Sequence, residues 1–246
     1  MEWSDEAIIL GTRRHGETSV LLEVMTCTHG RHLGLVRGGR SKRLQPVLQP
    51  GNSLSVTWRA RLESHVGQFS IELTTSRAAA LMARPMGTYG IQFIADLTRL
   101  LPERDPHPYL FQALEVIVDE FREGDVAGEL MVRFELALLS ELGYGLSLDA
   151  CAATGGREDL IYVSPKSGRA VSREAGAPYH DRMLPLPAFL RGEAASNRLA
   201  FEEIAQGFQL SGFFLEKHIY GPAEKSAPGL RSSFIDALRR DLTLED

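Results

Sequence analysis

The sequence predicts an α+β protein: a five-stranded β-barrel first, then an all-α helical domain carrying a small β-hairpin insertion. Three observations lead there. The first 75 residues consist of short β-branched and aromatic runs separated by Gly, Pro, Asn and Ser clusters. After Arg77 the apolar residues recur at helical spacing. Between Gly145 and Pro187 that spacing lapses into turns and two strand-like pieces.

The strand candidates are "DEAIILGTRRHG", "TSVLLEVMT", "RHLGLVRG", "NSLSVTWRA" and "GQFSIELTT". A closed barrel of the OB type is the economical arrangement for five such strands, because closure removes exposed edges and about 75 residues suffice. This sets a barrel domain at 1–77 and a helical domain at 78–246, with the insertion at about 145–187.

Helices are expected from "GTYGIQFIADLTRLL", from "PHPYLFQALEVIVDEFREG" with Asp105 as its N-cap, and from "VAGELMVRFELALLSELGYG" with Asp125 as its cap and Gly143 as its end. In the last of these Leu130, Phe134, Ala137 and Leu138 form the apolar face, shading to polar at Glu141. The pieces "LIYVS" and "GRAVS", joined by Pro165, Lys166, Ser167 and Gly168, make the hairpin. Helices resume with "SNRLAFEEIAQGFQLSGFFLEKHIYG" and "LRSSFIDALRRDL". The stripe of Phe201, Phe208, Phe213 and Phe214 is expected to be core rather than a cofactor box.

The 246 residues are 43% apolar, ordinary for a folded core, and the formal net charge is -5. That average hides a dipolar chain. Residues 1–77 hold ten Lys and Arg against seven acids, and the remainder is net negative. The stretch Val24 to Leu62 has seven basic residues and no Asp or Glu, where an ordinary surface intersperses both signs. Two distant cysteines, Cys27 and Cys151, cannot form a disulfide framework. No apolar signal core opens the chain and no run approaches the roughly 20 residues of a membrane span, so a cytoplasmic, nucleoid-associated location without membrane contact is expected.

"LGLVRGGRSKR" mimics the G-x-x-x-x-G-K-[ST] phosphate loop through Gly34, Gly39, Arg40 and Ser41. A phosphate loop needs a helix immediately after it, and Pro46 and Pro50 forbid one; Arg40 also replaces the required lysine. A basic connection between the third and fourth strands fits better. There Gly38 and Gly39 let the backbone approach a polyanion while Arg37, Arg40, Lys42 and Arg43 supply charge. The DNA-binding surface is accordingly assigned to Arg13, Arg14, Arg31, Arg37, Arg40, Lys42, Arg43, Trp58, Arg59 and Arg61. Trp58 reads equally well as a base-stacking platform or as barrel core; Phe69 reads as core.

Catalytic motifs are missing. The seven histidines show no H-x-x-x-H pair, although the spacing of His29 and His32 allows the two to face one another across a turn, and neither cysteine sits in a nucleophile signature. The stretch from Cys151 has the outline of a zinc knuckle and hairpin. Thr154, Ser172 and Ala175 stand where three further thiolates belong, so no metal or other cofactor is expected.

The segments "AIILGTRRHGETSVLLEVMTCTHGRHLGLVRGGR", "FELALLSELGYGLSLDACAATG", "LIYVSPKSGRAVS", "SGFFLEKHIYG" and "LRSSFIDAL" together resemble the RecO family of bacterial DNA repair proteins, over essentially the entire chain and in the same order. The resemblance implies an N-terminal OB fold, a C-terminal helical domain and no enzymatic activity. It also implies binding of single- and double-stranded DNA and annealing of complementary strands. Action with RecR to help RecA replace single-strand binding protein on gapped DNA is implied too, with the acidic C-terminal tail of that protein held by the helical domain. Arg133, Lys217, Arg239 and Arg240 are candidate partners for the tail's carboxylates. Many members bind zinc through two C-x-x-C pairs; with Cys151 alone this chain is similar to the zinc-free branch. The rivals are an OB-fold RNA binder, a protein adaptor without DNA activity, and a metal-independent hydrolase.

Overall fold

A computed structural model describes residues 1–121, 124–191, 199–223 and 229–243. The chain divides into two compact units, Met1–Arg122 and Glu123–Asp246.

Unit 1 opens with β1 (Glu2–His15), β2 (Ser19–Thr26), β3 (Gly30–Val36), β4 (Ser53–Arg59) and β5 (Gln68–Thr75). They close into a barrel in the order β1-β2-β3-β5-β4. All pairs are antiparallel except β3 with β5, which meet in parallel at Leu35 and Gln68 and so seal the barrel. This is the expected OB-type arrangement. Burial along β3 alternates strictly, as a half-buried strand requires. The inward set, including Ile9, Leu22, Val24, Leu54, Val56, Trp58 and Phe69, forms the barrel core.

Asn52, wholly buried, organises the barrel's exit. Its Nδ2 donates to the Pro46 and Val47 carbonyls at 3.1 and 3.0 Å, and its Oδ1 accepts from the N–H groups of Arg77 and Ala78 at 2.8 and 2.9 Å. One side chain therefore pins the β3–β4 connection and satisfies the start of α1 (Ala78–Met82). Next come α2 (Pro85–Thr98), packed on β1, and α3 (Pro108–Glu120), packed on β2. Arg77 also bridges to Asp119 of α3.

Asp105 does not cap α3. The helix begins at Pro108 after His107, because the preceding backbone is used elsewhere. Arg104 N–H donates to the Arg31 carbonyl at 2.9 Å, Glu103 bridges to Arg31 in parallel, and the Asp105 backbone lies against Gly30.

Unit 2 holds α4 (Gly124–Glu141), β6 (Leu160–Val163), β7 (Ala170–Ser172), α5 (Arg173–Gly176), β8 (Leu184–Pro185), α6 (Phe201–Leu215) and α7 (Gly229–Thr243). α4 packs against α6 and α7. Asp125 lies inside the first turn of α4, not at its cap. The helix ends ahead of Gly143, with Tyr144 N–H donating to the Leu139 carbonyl at 2.7 Å. The buried face of α4 runs through Ala127, Met131, Phe134, Glu135 and Leu138, while Leu130 and Ala137 are half-buried at its flank.

The hairpin is a three-stranded sheet in the order β7-β6-β8, the third strand being only two residues long. Of the Phe stripe on α6, Phe208 and Phe214 are core, Phe201 is half-buried and Phe213 is exposed. Residues 196–198 of the stretch expected to be helical lie outside the described residues. Among the described residues no helix is long and apolar enough to cross a membrane.

Candidate nucleic-acid interface

The connection from Val36 to Ser53 is a run of turns with no helix, as its prolines demand. Its first half folds back onto the β1–β2 hairpin. Arg40 N–H donates to the Thr18 carbonyl at 3.0 Å, and the Arg40 guanidinium donates to the carbonyls of Gly16 and Glu17 at 3.3 and 2.5 Å. Gly39 permits the approach: a Cβ there would stand 2.5 Å from a Val20 methyl.

Register does the rest. Arg14 pairs with Val20, and Val20 with Val36, so Arg37 begins beside the end of β1. Arg13, Arg14, Arg37, Arg40, Lys42 and Arg43 are all exposed. Among the described residues, Arg13, Arg14, Arg37, Lys42 and Arg43 have no carboxylate partner. Unneutralised guanidinium and ammonium groups on an exposed loop can condense with phosphates and release their counterions. Glu17 is the one acid in the hairpin turn.

The other cations assigned from sequence stand apart. Arg31 is drawn inward: its side chain is 11% exposed, with Nη1 3.0 Å from Glu23 and 3.6 Å from Glu103. Glu23 also receives Arg99, at 2.7 Å. Burial alone would raise the Glu23 carboxyl, but Arg99 and then Arg31 hold it below the usual range. Arg59 is paired with Glu2 at 2.8 Å on the surface. Arg61 is exposed in the β4–β5 connection, and among the described residues no hydrogen bond ties it to the loop.

Trp58 is core. It is 1% exposed, and its indole N–H donates to the Val66 carbonyl at 2.8 Å. The sequence left Trp3 unremarked, yet Trp3 is the hub of an aromatic cluster. Its ring is near-parallel to Trp58 at 5.7 Å and to His29 at 3.9 Å, while His32 stands edge-on to Trp3 and Trp58, at 5.0 Å from each. The three-residue spacing of His29 and His32 was the available signal; what it missed is that both rings meet through Trp3. His29 Nδ1 lies 3.0 Å from Asp5 Oδ2, which also accepts from the Thr28 N–H and hydroxyl. Burial would raise the Asp5 carboxyl, but these hydrogen bonds keep it low. Burial, then the positive charge of Arg104, pushes His32 down to about 4, so it is neutral at pH 7.

In unit 2 the hairpin does not fit zinc. Cys151 is buried and faces Ser172, whose N–H donates to Sγ at 3.3 Å and whose hydroxyl lies 3.5 Å away. Burial raises the thiol, but hydrogen bonds from Thr154 and Ser172 bring it down to about 6. Among the described residues no group of three His, Cys, Asp or Glu side chains is placed to hold a metal ion.

The four cations named for an acidic tail are engaged locally. Arg133 pairs with Glu129, Lys217 donates to the Pro165 carbonyl, Arg239 lies over Phe201 and Arg240 donates to the Asp236 carbonyl. Sequence reading missed a fully buried carboxylate, Glu135, held by Arg231 at 2.7 Å and by Ser211 at 2.5 Å.

Two family models match. The model described as Recombination protein O N terminal matches residues 1–77, and Recombination protein O C terminal matches residues 86–228. The chain is 58% identical to the DNA repair protein RecO of Sinorhizobium medicae, covering 98% of this chain and 96% of the relative. It is 58% identical to that of Rhizobium etli, covering 98% and 94%, and 52% identical to that of Brucella abortus, covering 99% and 98%. With both halves matched and relatives this similar over nearly their full length, the chain belongs to the recombination protein O family.

Proposed function

We propose that this chain is a non-enzymatic DNA-binding mediator of recombinational repair, acting on single- and double-stranded DNA. It anneals complementary strands and, with RecR, helps RecA load on gapped DNA coated with single-strand binding protein. In this reading residues 1–77 are the nucleic-acid-binding domain, and residues 78–246, with the insertion at 145–187, serve the protein partners, including the acidic tail of single-strand binding protein. Family membership supports the repair role: the curated relatives are named DNA repair protein RecO.

The observation that carries the reading is the docked basic loop. Arg40 ties residues 37–43 to the β1–β2 hairpin and so gathers six cations on an otherwise anionic chain. Annealing requires that the repulsion between two strands be screened. A cationic surface that grips one backbone lowers the charge density met by the second. Nothing in the cluster is built to read base edges in a groove, so sequence preference is weak.

The test is binding of a fluorescent oligonucleotide across a salt series, with an RNA competitor and with and without RecR. At about five neutralised phosphates, log K falls against log salt with a slope near -3 to -4 for single strands. Replacing Arg37, Arg40, Lys42 and Arg43 together by Ala flattens that slope by about 2 to 3 and slows annealing of complementary strands. Unchanged affinity and slope in this variant overturn the assignment of the surface.

A further inference from the structure

We propose that β5 carries an open sheet edge on which a second copy of this chain docks, the two β5 strands pairing antiparallel about Ile71. Among the described residues the seam that closes the barrel is one pair deep, and from Ser70 onward β5 has main-chain partners on its β4 side alone. At that seam Leu35, opposite Gln68, donates its N–H to the Gly67 carbonyl at 3.0 Å. Backbone groups alternate sides along a strand, so Ile71 and Leu73 aim theirs the same way as Gly67, past the end of the seam. Leu73 is 37% exposed although it stands opposite the fully buried Leu54, and Ser70, Glu72, Thr74 and Thr75 are exposed beside it. An unpaired row of this kind is a template for another strand.

The sequence of the edge selects its own copy. Residues 69–73 read Phe-Ser-Ile-Glu-Leu, and the register against β4 turns Phe69, Ile71 and Leu73 to the barrel interior and Ser70 and Glu72 outward. About a two-fold axis through Ile71, Phe69 falls opposite the second copy's Leu73, and Ser70 opposite the second copy's Glu72. Ile71 exchanges both main-chain bonds with its counterpart, and the Leu73 N–H donates to the second copy's Phe69 carbonyl. Each apolar residue then meets an apolar one, and each Glu72 carboxylate faces a hydroxyl donor instead of another carboxylate. Moving the axis to Glu72 sets the two carboxylates face to face. The extra residue Thr74, which slips the register between Leu54 and Ser53, ends the ladder after Leu73.

An interface this short is far smaller than that of a permanent dimer, and the two basic loops, each leaving its barrel just past Leu35, repel one another. A bound strand screens that repulsion, and two chains held on complementary strands raise each other's effective concentration. DNA therefore favours the dimer, and the dimer brings two strands together for annealing, a consequence that rests on the DNA-binding reading above.

The experiment uses the full chain in a Cys27→Ser background, Cys151 being buried. Ser70→Cys and Glu72→Cys proteins are oxidised singly and as an equal mixture, with and without complementary oligonucleotides. Directly opposed residues of such a pair lie about 4.5 Å apart at Cα, within disulfide reach, whereas like positions lie about 7–8 Å apart, beyond it. The expected result is a disulfide dimer formed several times more in the mixture than in either protein alone, and more with DNA present. Ser70→Glu, a change at an exposed outward position, puts two pairs of carboxylates face to face. It is expected to slow annealing about fivefold while single-strand affinity stays within about twofold of wild type. Equal cross-linking in the mixture and in the single proteins overturns the strand pairing while the DNA reading stands. Wild-type annealing by Ser70→Glu overturns the dimer's part in annealing. If the wild-type chain binds no oligonucleotide, the DNA reading fails, and cross-linking of the free protein alone decides the pairing.

Discussion

Arg31 reaches back from β3 to place Nη1 3.0 Å from Glu23 of β2, inside a cluster that also contains Arg99 and Glu103. One of the seven cations in the acid-free stretch is thereby spent on a carboxylate at its very edge. Arg31 and the 37–43 loop, indistinguishable by composition, must behave differently. Arg31→Ala leaves Glu23 with Arg99 alone and is expected to cost about 1–3 kcal/mol of stability in urea unfolding. The salt slope for oligonucleotide binding is expected to stay at its wild-type value. A slope that flattens by about 0.7 in Arg31→Ala, the value of one phosphate contact, contradicts this separation.

His32 makes the first unit sensitive to acid. Its folded pKa, about 4, lies below the ordinary 6.5, so the unfolded chain binds a proton that the folded chain refuses. Stability from this group is complete above about pH 6.5 and is lost as pH falls, by about 3 kcal/mol at pH 4. His32→Leu stays close to the volume and removes the titration. Denaturant unfolding of both proteins between pH 4 and 7.5 is expected to give curves that diverge only below pH 6.5.

The barrel was legible because a strand's period is written in consecutive residues, as in β3, and because the charge gap from Val24 to Leu62 is a local property of the chain. What sequence could not show is set by contacts between distant residues. Asp105 looks like an N-cap until Gly30, 75 positions earlier, is seen to claim its backbone. β8 is two residues long and carries no period at all. Trp58 was undecided because a Trp flanked by Thr57 and Arg59 fits either face of a strand. Only its register opposite Trp3 and Phe69 turns it inward. The basic loop was foreseen as a sequence feature, whereas its union with Arg13 and Arg14 depends on where Arg40 docks.

Glu135 and Arg231 are 96 residues apart and form a buried pair with Ser211. Burial opposes the Arg231 charge, and the neighbouring Glu135 carboxylate more than restores it. Removing one partner strands a charge in the interior, so Arg231→Met is expected to cost about 3–5 kcal/mol. The double variant Glu135→Leu, Arg231→Met leaves no unmatched charge and is expected to recover most of that loss. Urea unfolding of the two single variants and the double closes the cycle. A double variant as unstable as the sum of the singles shows that the two side chains act independently.

Cys151 decides how the hairpin of the second unit is held. A knuckle built on four thiolates derives its folding energy from zinc and melts when the metal is stripped. Here the turn is closed by the main chain, through Cys151 N–H to the Gly156 carbonyl at 2.7 Å and Gly155 N–H to the Cys151 carbonyl at 2.8 Å, while Ser172 donates to the sulfur. Thermal unfolding of the natural chain is therefore expected to be the same in excess zinc and in excess chelator. The triple variant Thr154→Cys, Ser172→Cys, Ala175→Cys restores the four-thiolate pattern around a sulfur that already lies 3.5 Å from the Ser172 hydroxyl. It is expected to bind one zinc ion and to melt higher in zinc than in chelator. A zinc-dependent melting point in the natural chain contradicts the metal-free account, since a single thiolate cannot supply a tetrahedral site.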